Sequence, residues 1–151
     1  MNDMAFYARS GTTDVKILLV EDDDGDAKAV IRAFAKANIG NPIIRAQDGV
    51  EALDYMTGEG MSALARPPIL LLVDLNMPRM NGIELIRTLR AHPDLRRTVV
   101  FLLTTSKREE DMAAAYDLNV AGYIVKQNAG VDFLKLVGLI DSFWKIVELP
   151  T

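Results

Sequence analysis

The chain has 151 residues, half of them hydrophobic and a quarter charged, which predicts one globular domain with a real core and no second domain. A formal charge of −4 offers no general attraction to nucleic acid, so no nucleic-acid partner is expected. The absence of cysteine excludes disulfides, thiol chemistry and thiolate-bound metal, and no apolar run is long enough to span a membrane, so a cytoplasmic protein without membrane attachment is expected.

Residues 1–14 are polar and rich in small side chains, and they read as a flexible leader before a single domain over 15–151. Val15 to Val20 is a strand ending in the acidic run Glu21 to Asp26. From Ala27 to Ala37 the apolar positions Ala27, Val30, Ile31, Phe34 and Ala37 keep a helical period, with Asp23 or Asp24 as N-cap. Gly40 and Pro42 break the chain before a short strand, Pro42 to Ala46, and Asp48-Gly49 opens a second helix through Val50, Leu53, Tyr55 and Met56. Thr57 to Pro68 reads as a loop. The aliphatic run Ile69 to Val73 is a strand buried on both faces of a parallel sheet, and it stops abruptly at Asp74 before turning through Pro78 and Gly82. A helix over about 82–91, carrying Ile83, Ile86, Leu89 and Arg90, stops at His92-Pro93. Arg97 to Leu103 is the fourth strand and leads into Thr104-Thr105-Ser106; a helix runs from about Lys107 to Asp117. Val120 to Val125 is the fifth strand, ending at Lys126, and the last helix covers about Val131 to Val147.

Strands alternating with helices in this way predict an α/β fold, a doubly wound five-stranded parallel sheet. All strand carboxyl ends then share one edge, where ligands bind in open α/β sheets. Glu21-Asp22, Asp74, Thr104-Thr105 and Lys126 would meet there, and only the second strand brings no obvious reactive group. With strand order 2-1-3-4-5, Asp22 and Asp74 face each other across the switch point. Carboxylates so close repel unless they share a cation, and oxygen ligands without His or Cys call for a hard divalent ion, Mg²⁺ above all. Carboxylate, Mg²⁺, ammonium and hydroxyl together suit phosphoryl transfer to Asp74. Plainer readings exist for each residue alone. Asp74 could be a turn residue, the acid run could favour a helix N-terminus, Thr104 could cap the helix near Lys107, and Lys126 could be a surface lysine. Their coincidence at four strand ends favours function. His92 and Glu109-Glu110-Asp111 read as helix-terminal residues, and the methionines as core filler.

These residues resemble the receiver domains of two-component response regulators, the CheY-like family with a flavodoxin-like fold. The resemblance covers Val15 to Val147. It rests on Leu-Leu-Val-Glu-Asp-Asp at 18 to 23, Val-Asp-Leu-Asn-Met-Pro at 73 to 78 with Asn81-Gly82, Thr104, and Tyr123-Ile124-Val125-Lys126. The resemblance implies that Asp74 is the phosphoacceptor, that Glu21, Asp22, Asp74 and the main-chain carbonyl of Asn76 hold Mg²⁺, that Thr104 and Lys126 bind the phosphoryl group, and that Tyr123 is a rotameric switch. Asp-Leu-Asn-Met-Pro, Leu-Thr-Thr-Ser and the Phe-Trp near the end are similar to the single-domain regulators associated with phytochromes. That implies a sensor histidine kinase of phytochrome type as partner, a protein contact with an unnamed downstream target as output, and pairing through the last two helices. One departure stands out: Gln127 follows Lys126 where the family usually has a proline, which puts the placement of Lys126 in question. The last helix carries more apolar surface than one buried face needs, so a homodimer is expected through Val131, Leu134, Leu139, Phe143, Trp144, Ile146 and Val147.

Two other readings remain open at this point. A receiver-like adaptor could signal without phosphate, as Gln127 allows. An aspartate-nucleophile phosphohydrolase would want a general acid two residues after the nucleophile, where Asn76 stands.

Overall fold

A computed structural model describes residues 15–60, 65–66, 68–126, 138–143 and 149–150. Its five strands are β1 (Lys16–Val20), β2 (Ile43–Ala46), β3 (Ile69–Asp74), β4 (Val99–Thr104) and β5 (Gly122–Val125). They form one parallel sheet in the order β2-β1-β3-β4-β5, as expected. Four helices connect or follow them: α1 (Asp24–Lys36), α2 (Gly49–Thr57), α3 (Gly82–Ala91) and α4 (Glu109–Asp117), and residues 138–143 are also helical. The expected leader 1–14, together with Gln127, Val131, Leu134, Trp144, Ile146 and Val147, lies outside the described residues. No helix among the described residues is long and apolar enough to cross a membrane.

The aliphatic run of β3 sits where its composition requires, at the centre of the sheet with every residue buried. Alternation along the strands then builds two cores. Leu18, Val20, Leu71, Val73, Val100 and Leu102 pack with residues of α2, α3 and α4 on one face. Ile17, Leu19, Leu70, Leu72, Phe101 and Leu103 pack with α1 and Ile140 on the other.

Several boundaries differ from the sequence expectation, each for a local reason. The first helix is capped as expected: the Asp23 carboxylate accepts the Asp26 N–H at 2.7 Å, which draws the acidic residues into the first turn of α1, and the helix begins at Asp24, ahead of the apolar positions that start at Ala27. The Thr98 N–H bonds back to the Leu95 carbonyl in a turn, and β4 therefore starts at Val99. Likewise the Val120 N–H closes onto Ala115 at the end of α4, and β5 starts at Gly122. On α3 the buried positions include Leu85 as well as Ile86 and Leu89, while Ile83 is only half-buried. Arg90 at the end of this helix donates to the carbonyls of Arg96, Thr98, Leu118 and Asn119, tying together the turns that precede β4 and β5.

The exit from β3 is held by Gly82. Its N–H donates to the Leu75 carbonyl at 2.9 Å, and a Cβ at this position would lie 2.5 Å from the Asp74 carbonyl oxygen and 3.0 Å from Leu75 Cα. Asn81 and Glu84 form a capping box on the same turn, and Arg79 pairs with Asp48 at 2.6 Å, fastening the loop to the start of α2. The loop that leaves Asp74 is thus fixed at both ends. Gly82→Ala is expected to lower unfolding free energy by about 1 to 3 kcal/mol in urea denaturation. Gly49→Ala should cost less, because the new methyl meets only the Met80 side chain, which can move.

Candidate functional site

Strand alternation sorts the site before any contact is considered. In β3, Leu70 and Leu72 belong to the core beneath α1, so Asp74 falls on the α1 side; Leu19 and Ile124 give Glu21 and Lys126 the same parity. Thr104 follows Leu102, and Tyr123 itself packs against the opposite core, so these two stand on the α2 to α4 side. The sheet register pairs Asp74 with Leu103 and puts Thr104 one residue beyond.

On the α1 side, Glu21, Asp22 and Asp74 each offer a carboxylate oxygen, all within 4.8 Å of one another. Glu21 and Asp74 are buried, whereas Asp22 is exposed. Lys126 reaches into this cluster. Its Nζ lies 2.6 Å from Glu21 Oε1, 3.0 Å from Asp26 Oδ2 and 3.6 Å from Asp74 Oδ1. The surface-lysine reading of Lys126 is thereby discarded: its side chain is only 12% exposed.

The acidic run is divided among different tasks. Asp23 caps α1, Asp24 pairs with Arg45 at 2.6 Å, and Glu21 and Asp26 share Lys126. Burial pushes the Glu21 carboxyl up to about 7, against the hydrogen bond from Lys126 and with the Asp74 charge adding to the rise. Burial also raises Asp74, opposed first by the charge of Lys126. For Lys126 burial works toward a lower pKa, but its bonds to Glu21 and Asp26 and the charge of Asp74 win and hold it above the ordinary lysine range. One ammonium thus faces three carboxylates, Glu21, Asp26 and Asp74, and the donor set of Glu21, Asp22 and Asp74 is all oxygen. Such a set fits a hard divalent cation.

On the other side, Thr104 is fully buried, and its hydroxyl oxygen accepts the Ser106 N–H at 3.1 Å. The alternative of a Thr104 cap on the following helix is corrected here. That helix starts at Glu109, Arg108 at its N-cap makes no side-chain cap bond, and it is the Ser106 hydroxyl that accepts the Arg108 N–H and donates to Asp111 at 2.5 Å. The Tyr123 hydroxyl donates to the Ser106 carbonyl at 3.0 Å, so Tyr123 is turned toward the loop that carries Thr104. Asn76 is exposed in the loop after β3, and its main-chain N–H donates to the Asp74 carboxylate and favours its charged form.

Of the residues expected at an interface, Phe143 is half-buried and meets Phe101 edge to face at 5.3 Å, so its ring belongs to the chain's own core. Leu139 is 57% exposed. Three contributors went unnoticed in the sequence: Asp26, Arg45 and Ser106. The spacing of Asp26 from Asp23 marks it only as a first-turn residue. Nothing local sets Arg45 or Ser106 apart.

Residues 17–137 match the model of the response regulator receiver domain. The chain is 37% identical over 135 residues to the response regulator Rcp1 of Synechocystis sp., covering 89% of this chain and 92% of that protein. The Mn²⁺-bound crystal structure of Rcp1 is similar with a TM-score of 0.79 at 36% identity, over 90% of this chain and 99% of that one. The phosphorylated cyanobacterial phytochrome response regulator RcpA gives 0.80 at 36% identity, over 91% and 99%. The bacteriophytochrome response regulator RtBRR gives 0.71 at 35%, over 90% and 83%.

Replacing the ammonium tests how the carboxylates are balanced. Lys126→Met should lower metal-free stability by about 2 to 3 kcal/mol, because Glu21 and Asp74 lose their buried countercharge. Saturating Mg²⁺ or Mn²⁺ should then raise the melting temperature more in the variant than in the wild type, the added cation taking over the missing charge.

Proposed function

The chain belongs to the response regulator receiver domain family, and on that premise we propose that it is a phosphorylation switch whose phosphoacceptor is Asp74. The observation that carries this reading is the buried Asp74 carboxylate, at the end of the central strand, with Glu21, Asp22 and Lys126 gathered around it. In the transfer, an Asp74 oxygen attacks phosphorus, the P–N bond to the kinase histidine breaks, and its electron pair returns to the imidazole nitrogen. Lys126 supplies a fixed positive charge beside Asp74, and the Thr104 hydroxyl, on the opposite side of the strand ends, is the second group assigned to the phosphoryl oxygens. A Mg²⁺ ion held by Glu21, Asp22, Asp74 and the Asn76 carbonyl would neutralise the phosphoryl charge. The chain is a phosphoacceptor that promotes its own phosphorylation and dephosphorylation rather than an enzyme acting on a separate substrate.

The switch couples this charge to a surface. Thr104 and Tyr123 are already joined through Ser106, by an N–H to hydroxyl bond on one side and a hydroxyl to carbonyl bond on the other. A shift of Thr104 toward the new phosphoryl group would change both, and Ser106 passes the change to α4 through Asp111. The partner is a sensor histidine kinase. Similarity to Rcp1, RcpA and RtBRR supports a kinase of phytochrome type. A cytoplasmic location is part of this proposal, as is a homodimer through the last helix, for which exposed Leu139 speaks among the described residues.

Incubation with acetyl phosphate and Mg²⁺ should label the wild type and leave Asp74→Asn unlabelled; equal labelling of the two would overturn the assignment. For the pairing, sedimentation at tens of micromolar should show a dimer, and Leu139→Glu should shift it toward monomer by about tenfold or more in Kd. A wild-type monomer with and without phosphorylation would remove that part.

A further inference from the structure

The second strand, empty of reactive groups in the sequence, carries one residue aimed at the site. Arg45 stands opposite Leu19 in the β1 to β2 register, on the α1 side of the sheet. Its guanidinium donates twice to a single acceptor, the main-chain carbonyl of Glu21, from Nε at 3.0 Å and Nη2 at 2.8 Å. The remaining arm, Nη1, donates to Asp24 Oδ1 at 2.6 Å. The side chain is mostly covered, at 22% exposure. The Glu21 N–H is meanwhile fixed to the Ala46 carbonyl at 3.0 Å. Both main-chain groups of Glu21 are therefore held from β2, one by the backbone ladder and the other by Arg45.

This grip falls on the residue where β1 ends and the carboxylates begin. Past Glu21 the chain has no ladder to hold it until Asp23 caps α1. Without Arg45, the Glu21 carbonyl would lose both of its donors, and the turn joining Glu21 to Asp22 would be held only by the bond from the Asp23 N–H to Glu21 Oε2 at 3.2 Å. The two carboxylates would then no longer be pre-set against Asp74. We propose that Arg45 is a positioning residue for the cation site: it touches neither metal nor phosphoryl group, and it orients Glu21 and Asp22 by fixing the peptide between them. The inference rests on the reading of Glu21, Asp22 and Asp74 as cation ligands. Groups that orient metal ligands change affinity by about tenfold to a hundredfold when removed.

Electrostatics makes the test sharp, because charge and geometry predict opposite signs. Removing a positive charge beside a cation site should tighten cation binding by Coulomb's law. Loss of positioning should weaken it. The experiment titrates the full chain with Mn²⁺ alone, counting free ion by electron paramagnetic resonance, and records the metal-free melting curve of each variant. Arg45→Gln is expected to bind Mn²⁺ about tenfold more weakly, at the low end of that range. Arg45→Lys, which keeps the charge but not the fork, should also bind Mn²⁺ more weakly than the wild type. Binding as tight as or tighter than wild type in Arg45→Gln overturns the proposal. If that variant does not melt cooperatively, Arg45→Lys decides alone, and wild-type affinity there overturns it. Asp22→Asn separates the two levels of the argument. Unchanged Mn²⁺ affinity in that variant overturns the cation-site reading and this inference with it, whereas weaker binding there beside an unaffected Arg45→Gln overturns this inference only.

Discussion

The structure depends on a repulsion that it must contain. Three carboxylates converge within 4.8 Å at the end of the central strand, two of them buried, where each unpaired charge is costly. Lys126 supplies the compensation from inside, and it does so unevenly, lying nearest Glu21 and farthest from Asp74. That asymmetry leaves Asp74 the least committed of the buried carboxylates, which suits a group assigned to react. The raised pKa of Glu21 is the residue of this contest: burial outweighs the hydrogen bond that Lys126 provides.

Around this cluster, the same sheet separates the charged residues from the two groups proposed to report on them. Because side chains alternate, Asp74, Glu21 and Lys126 share the α1 side, while Thr104 and Tyr123 lie on the side of α2 to α4. The central strand is the partition, and its end is where the two sides meet. Under the proposed phosphorylation, a new charge on Asp74 would arise on one side and be read on the other through a Thr104 hydroxyl already bonded to Ser106. Ser106 matters because it holds Thr104, Tyr123 and Asp111 at once.

Rigidity around the site comes from one close backbone approach and two arginine side chains. Gly82 allows α3 to start directly against the Asp74 carbonyl, and the Asp48 to Arg79 pair pins the intervening loop to α2. Arg45 does the corresponding work on the loop after β1. Two guanidinium groups, one on β2 and one in the loop after β3, therefore steady the two segments that carry carboxylates. Arg suits the β2 position because its planar fork reaches both the Glu21 carbonyl and Asp24 at fixed angles.

Much of this was legible in the sequence. The aliphatic run into Asp74, the acid run after β1 and the alternation of strands with helices marked out the parallel sheet and the strand-end positions of Glu21, Asp22, Asp74, Thr104 and Lys126, while the order 2-1-3-4-5 was supposed there and is the order the structure has. These follow from local periodicity and from the geometry of parallel sheets, which a linear chain expresses directly. Lys126 was the doubtful member because Gln127 replaces the usual proline, and only the folded chain shows the ammonium among the carboxylates. The roles of Asp26, Arg45 and Ser106 were decided by tertiary structure alone. Asp26 meets a residue 100 positions away, and Arg45 acts on a carbonyl 24 positions away. Ser106 works through its main chain as well as its hydroxyl. Contacts at such separations, and contacts made to backbone rather than to side chains, leave no pattern in a single sequence, because almost any residue order can supply a carbonyl and only the fold brings it within reach.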